Sequence, residues 1–121
     1  MPELRILVVE DEATTREILT ELLRSEGYEV DSVATAGAAI TCLDSISYPL
    51  VVTDWVLPDG DGTDIADTAV QRGSKTLIIT SHLSDLPAGV ANRHALMSKQ
   101  LGHAEIVAAV RRAIGSPANE T

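Results

Sequence analysis

The chain contains no phenylalanine, one tryptophan (Trp55) and two tyrosines, so aromatic packing cannot build its interior. Hydrophobic residues still make up 45% of the sequence. That suffices for a packed core and excludes compositional disorder; Leu, Ile, Val and Ala have to fill it. A single cysteine, Cys42, excludes an intrachain disulfide. It lies on an apolar helical face and reads as a small core residue. Basic residues are scarce, 9 against 18 acidic ones, for a formal charge of −9. Phosphate contacts need Lys and Arg, so direct nucleic-acid binding is not expected. No apolar run approaches membrane-spanning length, and Met1-Pro2-Glu3-Leu4-Arg5 lacks the basic and apolar regions of a signal peptide. The chain therefore reads as cytoplasmic, without membrane insertion.

What is present is unevenly distributed. Residues 1–67 carry 15 of the 18 acidic and 3 of the 9 basic residues, a local net of −12. Such a half attracts a cation or a basic partner surface. The length of 121 residues suits one domain, 1–121, with a frayed polar tail at 116–121.

Apolar periodicity alternates between two types along the chain. Leu4–Val9 is a strand run, followed by a helical face of Ile18, Leu19, Leu22 and Leu23 that Gly27 stops. Tyr28–Val33 alternates as a half-exposed edge strand does. Ala36, Ala39, Ile40 and Leu43 form a second helical stripe. Leu50–Asp54, β-branched and apolar, fits a strand buried on both faces. Ile65, Ala66, Ala69 and Val70 mark a third helix, Thr76–Thr80 a fourth strand, Ala95–Ser98 a short fifth, and Ile106, Val107, Val110 and Ile114 a last helix. Between His82 and His94 the pattern weakens. Pro87 and Gly89 oppose a helix interior there, so the fourth helix is expected to be short or irregular. The alternation argues an α/β fold, a doubly wound five-stranded parallel sheet with helices on both faces.

In such sheets ligands sit beyond the carboxyl ends of the strands. Four strand ends carry polar groups: Glu10-Asp11, Asp54, Thr80-Ser81 and Lys99. With the first strand central and the third beside it, three carboxylates converge. Like charges held close oppose folding, and a hard cation relieves them. Mg²⁺ prefers oxygen ligands and commonly uses carboxylates together with a phosphoryl oxygen. Thr80 supplies a hydroxyl and Lys99 a positive charge, both suited to phosphoryl oxygens. The chemistry suggested is attack by the Asp54 carboxylate on a phosphoryl group to form an acyl phosphate.

Taken together, Val8-Val9-Glu10-Asp11-Glu12, Thr53-Asp54-Trp55-Val56-Leu57-Pro58-Asp59-Gly60-Asp61-Gly62, Thr80-Ser81 and Lys99 resemble the receiver domain of two-component response regulators. The resemblance covers residues 4 to about 114. It implies the flavodoxin-like strand order 2-1-3-4-5. It implies Asp54 as phosphoacceptor, and Mg²⁺ held by Glu10, Asp11, Asp54 and the Val56 backbone carbonyl. Thr80 would be the hydroxyl that turns towards the phosphoryl group, Ser81 the small residue that leaves it room, and Lys99 its charge partner and an aid to catalysis at Asp54. The implied partners are a histidine kinase or histidine phosphotransfer protein and a downstream protein effector. The only reaction implied is the domain's own phosphorylation and dephosphorylation.

Two positions depart from the family pattern. Lys99 is followed by Gln100 in place of proline, so a trans bond is expected. Leu96 stands where the family has a switch aromatic. Both favour an alternative, a pseudo-receiver that binds partners independently of phosphorylation. An aspartyl phosphatase would show Asp-x-Asp, but Val56 stands two residues after Asp54. A flavin-binding reading lacks a phosphate-cradling loop after the first strand. An EF-hand counted from Asp59 places Asp64 where glycine is required, so a turn is the expectation there. His82, His94 and His103 lack ligand spacing and read as surface or turn residues.

Overall fold

The computed structural model describes residues 4–100 and 102–114. In chain order the elements are β1 (Arg5–Val9), α1 (Ala13–Ser25), β2 (Glu29–Val33), α2 (Ala36–Ser45), β3 (Leu50–Asp54), β4 (Val56–Leu57), β5 (Gly60–Asp61), α3 (Gly62–Gln71), β6 (Lys75–Thr80), α4 (Val90–Arg93), β7 (Ala95–Ser98) and α5 (His103–Ile114). Five parallel strands form one sheet in the order β2-β1-β3-β6-β7. This is the expected 2-1-3-4-5 order, because β4 and β5 pair only with each other. The turn expected at Asp59 is the tip of that small antiparallel ribbon. The tail at 116–121 lies outside the described residues.

Strand parity divides the core. Ile6 and Val8 of β1, Leu50 and Val52 of β3, and Leu77 and Ile79 of β6 meet Leu19 and Leu23 of α1 and Ile106, Val110 and Ile114 of α5. Leu7, Val9 and Val51 face the other way, against Ala39 and Leu43 of α2 and Ile65 and Ala69 of α3. Successive strand side chains point to opposite faces, so a continuous apolar run is what two helical layers require. Cys42 is half-buried and packs against the second layer, as expected.

Two residues of the helical stripes lie outside the core. Ile18 is 45% exposed and Val70 49% exposed. A helix packed on a sheet buries a narrower stripe than its apolar residues cover, and these two fall at its edge. Residues 82–94 confirm the short fourth helix. Leu83–Asp85 is one 3₁₀ turn, and α4 is a single turn that begins after Gly89, whose φ is +96°. Val90 and Leu86 dock beside Ala66 and Ile78, whereas Leu83 stays exposed.

Candidate functional site

The strand order reverses between β1 and β3, which leaves a crevice at their carboxyl ends. Glu10 follows β1 directly and continues its ladder, its N–H donating to the Val33 carbonyl at 3.0 Å. Asp54 is the last residue of β3 and pairs in register with Ile79, so Thr80 lies one residue further along the next strand. Lys99 follows β7, its N–H donating to the Thr80 carbonyl at 3.0 Å. Parallel pairing thus brings to one edge groups separated by up to 89 positions in sequence, from Glu10 to Lys99.

Lys99 Nζ lies 2.7 Å from Glu10 Oε1 and 3.0 Å from Asp54 Oδ2. The Trp55 N–H donates to Asp54 Oδ1 at 2.8 Å, and the Glu12 N–H to Glu10 Oε2 at 3.1 Å. Glu10, Asp11 and Asp54 each bring a carboxylate oxygen within 4.8 Å of the others. Glu10 is only 2% exposed, Asp54 is buried and Asp11 is exposed. Burial pushes the Glu10 carboxyl above its ordinary range, and the Asp54 charge adds to this against the opposing pull of Lys99 and the Glu12 N–H. Burial also works against the Lys99 charge, but hydrogen bonds and attraction from Glu10 and Asp54 outweigh it and raise its pKa.

These donors suit a hard divalent cation. Three carboxylates face one ammonium, two negative charges in excess, and all the anionic donors are oxygens. Thr80 is buried, its Oγ1 accepting from the His82 N–H at 3.0 Å. Ser81 is exposed just beyond it, and Val56 opens the β4–β5 ribbon with its side chain exposed. Leu96 packs beside Trp55 and Leu86 against Ala66, Ile78 and Val90. The described backbone contains no cis peptide bond.

Several contributors escape sequence reasoning. Arg16 of α1 donates through Nη1 to the Glu10 carbonyl at 2.9 Å and the Asp11 carbonyl at 3.4 Å. Asp59 accepts from the Ala36 and Gly37 N–H groups at 2.7 and 3.0 Å, tying the ribbon to the start of α2. Those two bonds, Gly37 foremost, hold the Asp59 carboxyl below its usual range. Gly62 is required by close approach: a Cβ there would overlap the Asp54 carbonyl oxygen and lie 2.8 Å from its carbon. Among these the only sequence signal was the Asp-Gly-Asp-Gly spacing. His94 corrects the surface reading. It is buried, with Nδ1 2.6 Å from Thr76 Oγ1 and Nε2 2.6 Å from Asp67 Oδ1. A histidine without ligand spacing reads as exposed until folding places partners on both nitrogens. His82 is exposed and lies 3.7 Å from Asp85, and His103 opens α5.

Fold and site together define a doubly wound α/β domain with an acidic pocket and one lysine at its topological switch point. The model of the response regulator receiver domain matches residues 6–111, and the chain belongs to that family. Domains of this family are signalling modules of two-component systems that work with kinases and effectors. Transcriptional regulatory protein PdtaR of Mycobacterium tuberculosis is 31% identical over 115 residues, which cover 91% of this chain and 56% of PdtaR. The chain thus spans about half of that relative, and shorter matched segments of 61 and 76 residues cover 24% and 34% of the mycobacterial regulators TcrA and RegX3. Response regulator TrrA of Thermotoga maritima, solved in complex with Mg²⁺ and BeF, is similar at a TM-score of 0.79 and 29% identity, over 91% of this chain and 98% of that one. A receiver domain of a Pseudomonas aeruginosa sensor histidine kinase, with magnesium in its active-site cleft, shares the fold at a TM-score of 0.81 and 24% identity, over 95% of this chain and 100% of that one.

Proposed function

We propose that the chain, residues 1–121, is one receiver domain that accepts a phosphoryl group on Asp54 and thereby changes its affinity for a protein effector. The observation that carries this is Asp54 itself: a buried strand-end carboxylate within 4.8 Å of two others and 3.0 Å from Lys99 Nζ. Its Oδ1 is oriented by the Trp55 N–H. The donor would be a phosphohistidine of a kinase or phosphotransfer protein. A carboxylate oxygen of Asp54 forms the new O–P bond as the P–N bond breaks; the P–N bonding pair stays with the leaving imidazole nitrogen, which takes a proton from water. Lys99, already paired with Asp54, stabilises negative charge on the transferring group. Glu10, Asp11, Asp54 and the Val56 carbonyl are the groups assigned to Mg²⁺. When bound, the ion neutralises charge on phosphoryl oxygens. Thr80 offers the hydroxyl that turns to the new phosphoryl group, and Ser81 leaves it room.

Intact mass after incubation with acetyl phosphate and Mg²⁺ tests the reading. Wild type is expected to gain one phosphoryl group and Asp54→Asn none. Equal modification of both would overturn it. The apolar seat of Leu96 in place of an aromatic switch favours the second reading, a phosphorylation-independent interaction module. In that case wild type would stay unmodified and bind its partner as tightly as Asp54→Asn does.

A further inference from the structure

We infer that Arg16 is a positioning residue for the cation site: it sets the Asp11 carboxylate by clamping the carbonyls of Glu10 and Asp11, which belong to the two peptide groups flanking the Asp11 Cα. This rests on the proposed Mg²⁺ site. The three acidic side chains are not held alike. Glu10 is fixed through both oxygens, by Lys99 and by the Glu12 N–H. Asp54 is fixed through both, by Lys99 and by the Trp55 N–H. The Asp11 carboxylate has no hydrogen-bond partner among the described residues, and Asp11 is exposed. Only its backbone can place it.

That backbone leaves the ladder at Glu10, the last residue whose N–H reaches β2. Beyond it Asp11 and Glu12 bend away towards α1, without a side-chain cap on that helix. Arg16 spans the bend. It is half-buried on the first turns of α1, anchored by its N–H to the Glu12 carbonyl at 2.9 Å, and its own carbonyl accepts from Thr20 Oγ1 at 2.7 Å. Its Nη1 reaches back to both carbonyls. Both bonds come from Nη1, whose two N–H groups are fixed in the guanidinium plane, whereas the three N–H groups of an ammonium rotate freely. Groups behind a metal ligand commonly account for tenfold or more in affinity.

The charge of Arg16 makes the inference decidable. A guanidinium near the acidic pocket repels a cation, so electrostatics alone predicts tighter Mg²⁺ binding when it is removed. Positioning predicts the reverse. Mg²⁺ titrations of wild type, Arg16→Ala and Arg16→Lys, read by Trp55 emission and by the Mg²⁺-induced rise in melting temperature, separate the two. Affinity is expected to fall about tenfold in Arg16→Ala and by a smaller factor in Arg16→Lys, which keeps the charge but not the fixed planar donors. Tighter or unchanged binding in Arg16→Ala, or wild-type affinity in Arg16→Lys, would overturn the inference. A role in helix stability alone would lower the melting temperature without Mg²⁺ and leave the affinity unmoved. If Arg16→Ala does not fold, Arg16→Lys decides. A wild type with no saturable response in either readout overturns the metal reading, and this inference with it; a responsive wild type with unaffected variants overturns this inference alone.

Discussion

Glu10 is a carboxyl whose ionisation costs the fold. Its carboxyl titrates above its ordinary range because burial disfavours the charge. A carboxyl with a raised folded pKa destabilises the native state when ionised; that cost shrinks as pH falls below the folded value and is gone below the unfolded one. Glu10→Gln is therefore expected to raise the melting temperature at neutral pH without Mg²⁺ while weakening the Mg²⁺ response; a lower melting temperature would contradict the first part. Asp31 behaves oppositely. Burial opposes its charge, but the Tyr48 hydroxyl at 2.7 Å and the Arg5 guanidinium at 3.0 Å outweigh this and lower its pKa. Its contribution is complete above the unfolded value of about 3.9 and is lost as pH falls through the lower folded one. Asp31→Asn should therefore lose stability at neutral pH and show a shallower acid limb in urea melts. Gly62→Ala should destabilise by roughly 1–3 kcal/mol, since the added methyl overlaps the Asp54 peptide. An unchanged urea midpoint would show that the loop yields freely.

At the scale of elements, the weak point is the passage from β6 to β7. A normal helix is replaced by a 3₁₀ turn, Pro87, a left-handed Gly89 and one helical turn. One turn satisfies few of its own carbonyls, so its order depends on Val90 and Leu86 docking on Ala66 and Ile78 and on His94 at its end. His94 joins three elements, through Thr76 on β6 and Asp67 on α3 to the start of β7. The hydrogen bond from His94, helped by Arg93, holds the Asp67 carboxyl below its usual range. His94→Ala leaves the buried Thr76 hydroxyl unpaired and is expected to cost about 1–3 kcal/mol, read in urea unfolding. Amide exchange over residues 82–94 should exceed that of Leu77–Ile79 and slow when Asp54 is phosphorylated. Protection equal to the strand in both states would show a rigid segment and remove the order–disorder route to signalling.

For the whole molecule, the fold concentrates its charge problem at one edge of the sheet, where one ammonium answers three carboxylates. A ligand that binds only the folded state stabilises it by mass action. Millimolar Mg²⁺ should accordingly raise the melting temperature of wild type and raise it less in Asp54→Asn, whose acceptor position has lost its charge. Equal shifts would place the bound ions elsewhere on the acidic surface. None of the described helices is long and apolar enough to cross a membrane.

The strands, their order and the acidic pocket were legible because each rests on local or motif information. Apolar runs rich in β-branched residues such as Leu50–Thr53 fit strands buried on two faces, and Glu10, Asp11, Asp54, Thr80 and Lys99 all stand at strand ends by their place in the chain. Pro87 and Gly89 likewise disclosed the short fourth helix, since backbone constraints act within a few residues. Long-range side-chain contacts were decided by tertiary structure alone. Whether Ile18 and Val70 enter the core depends on how each helix is turned against the sheet, not on its periodicity alone. That His94 is buried depends on Asp67, 27 positions away, and Thr76, 18 positions away. That Arg16 turns back onto the acidic pair, or that Gly62 must be bare beside Asp54, depends on the direction in which the chain leaves each strand. Sequence carries which groups can bond; only the folded path fixes which of them come within reach.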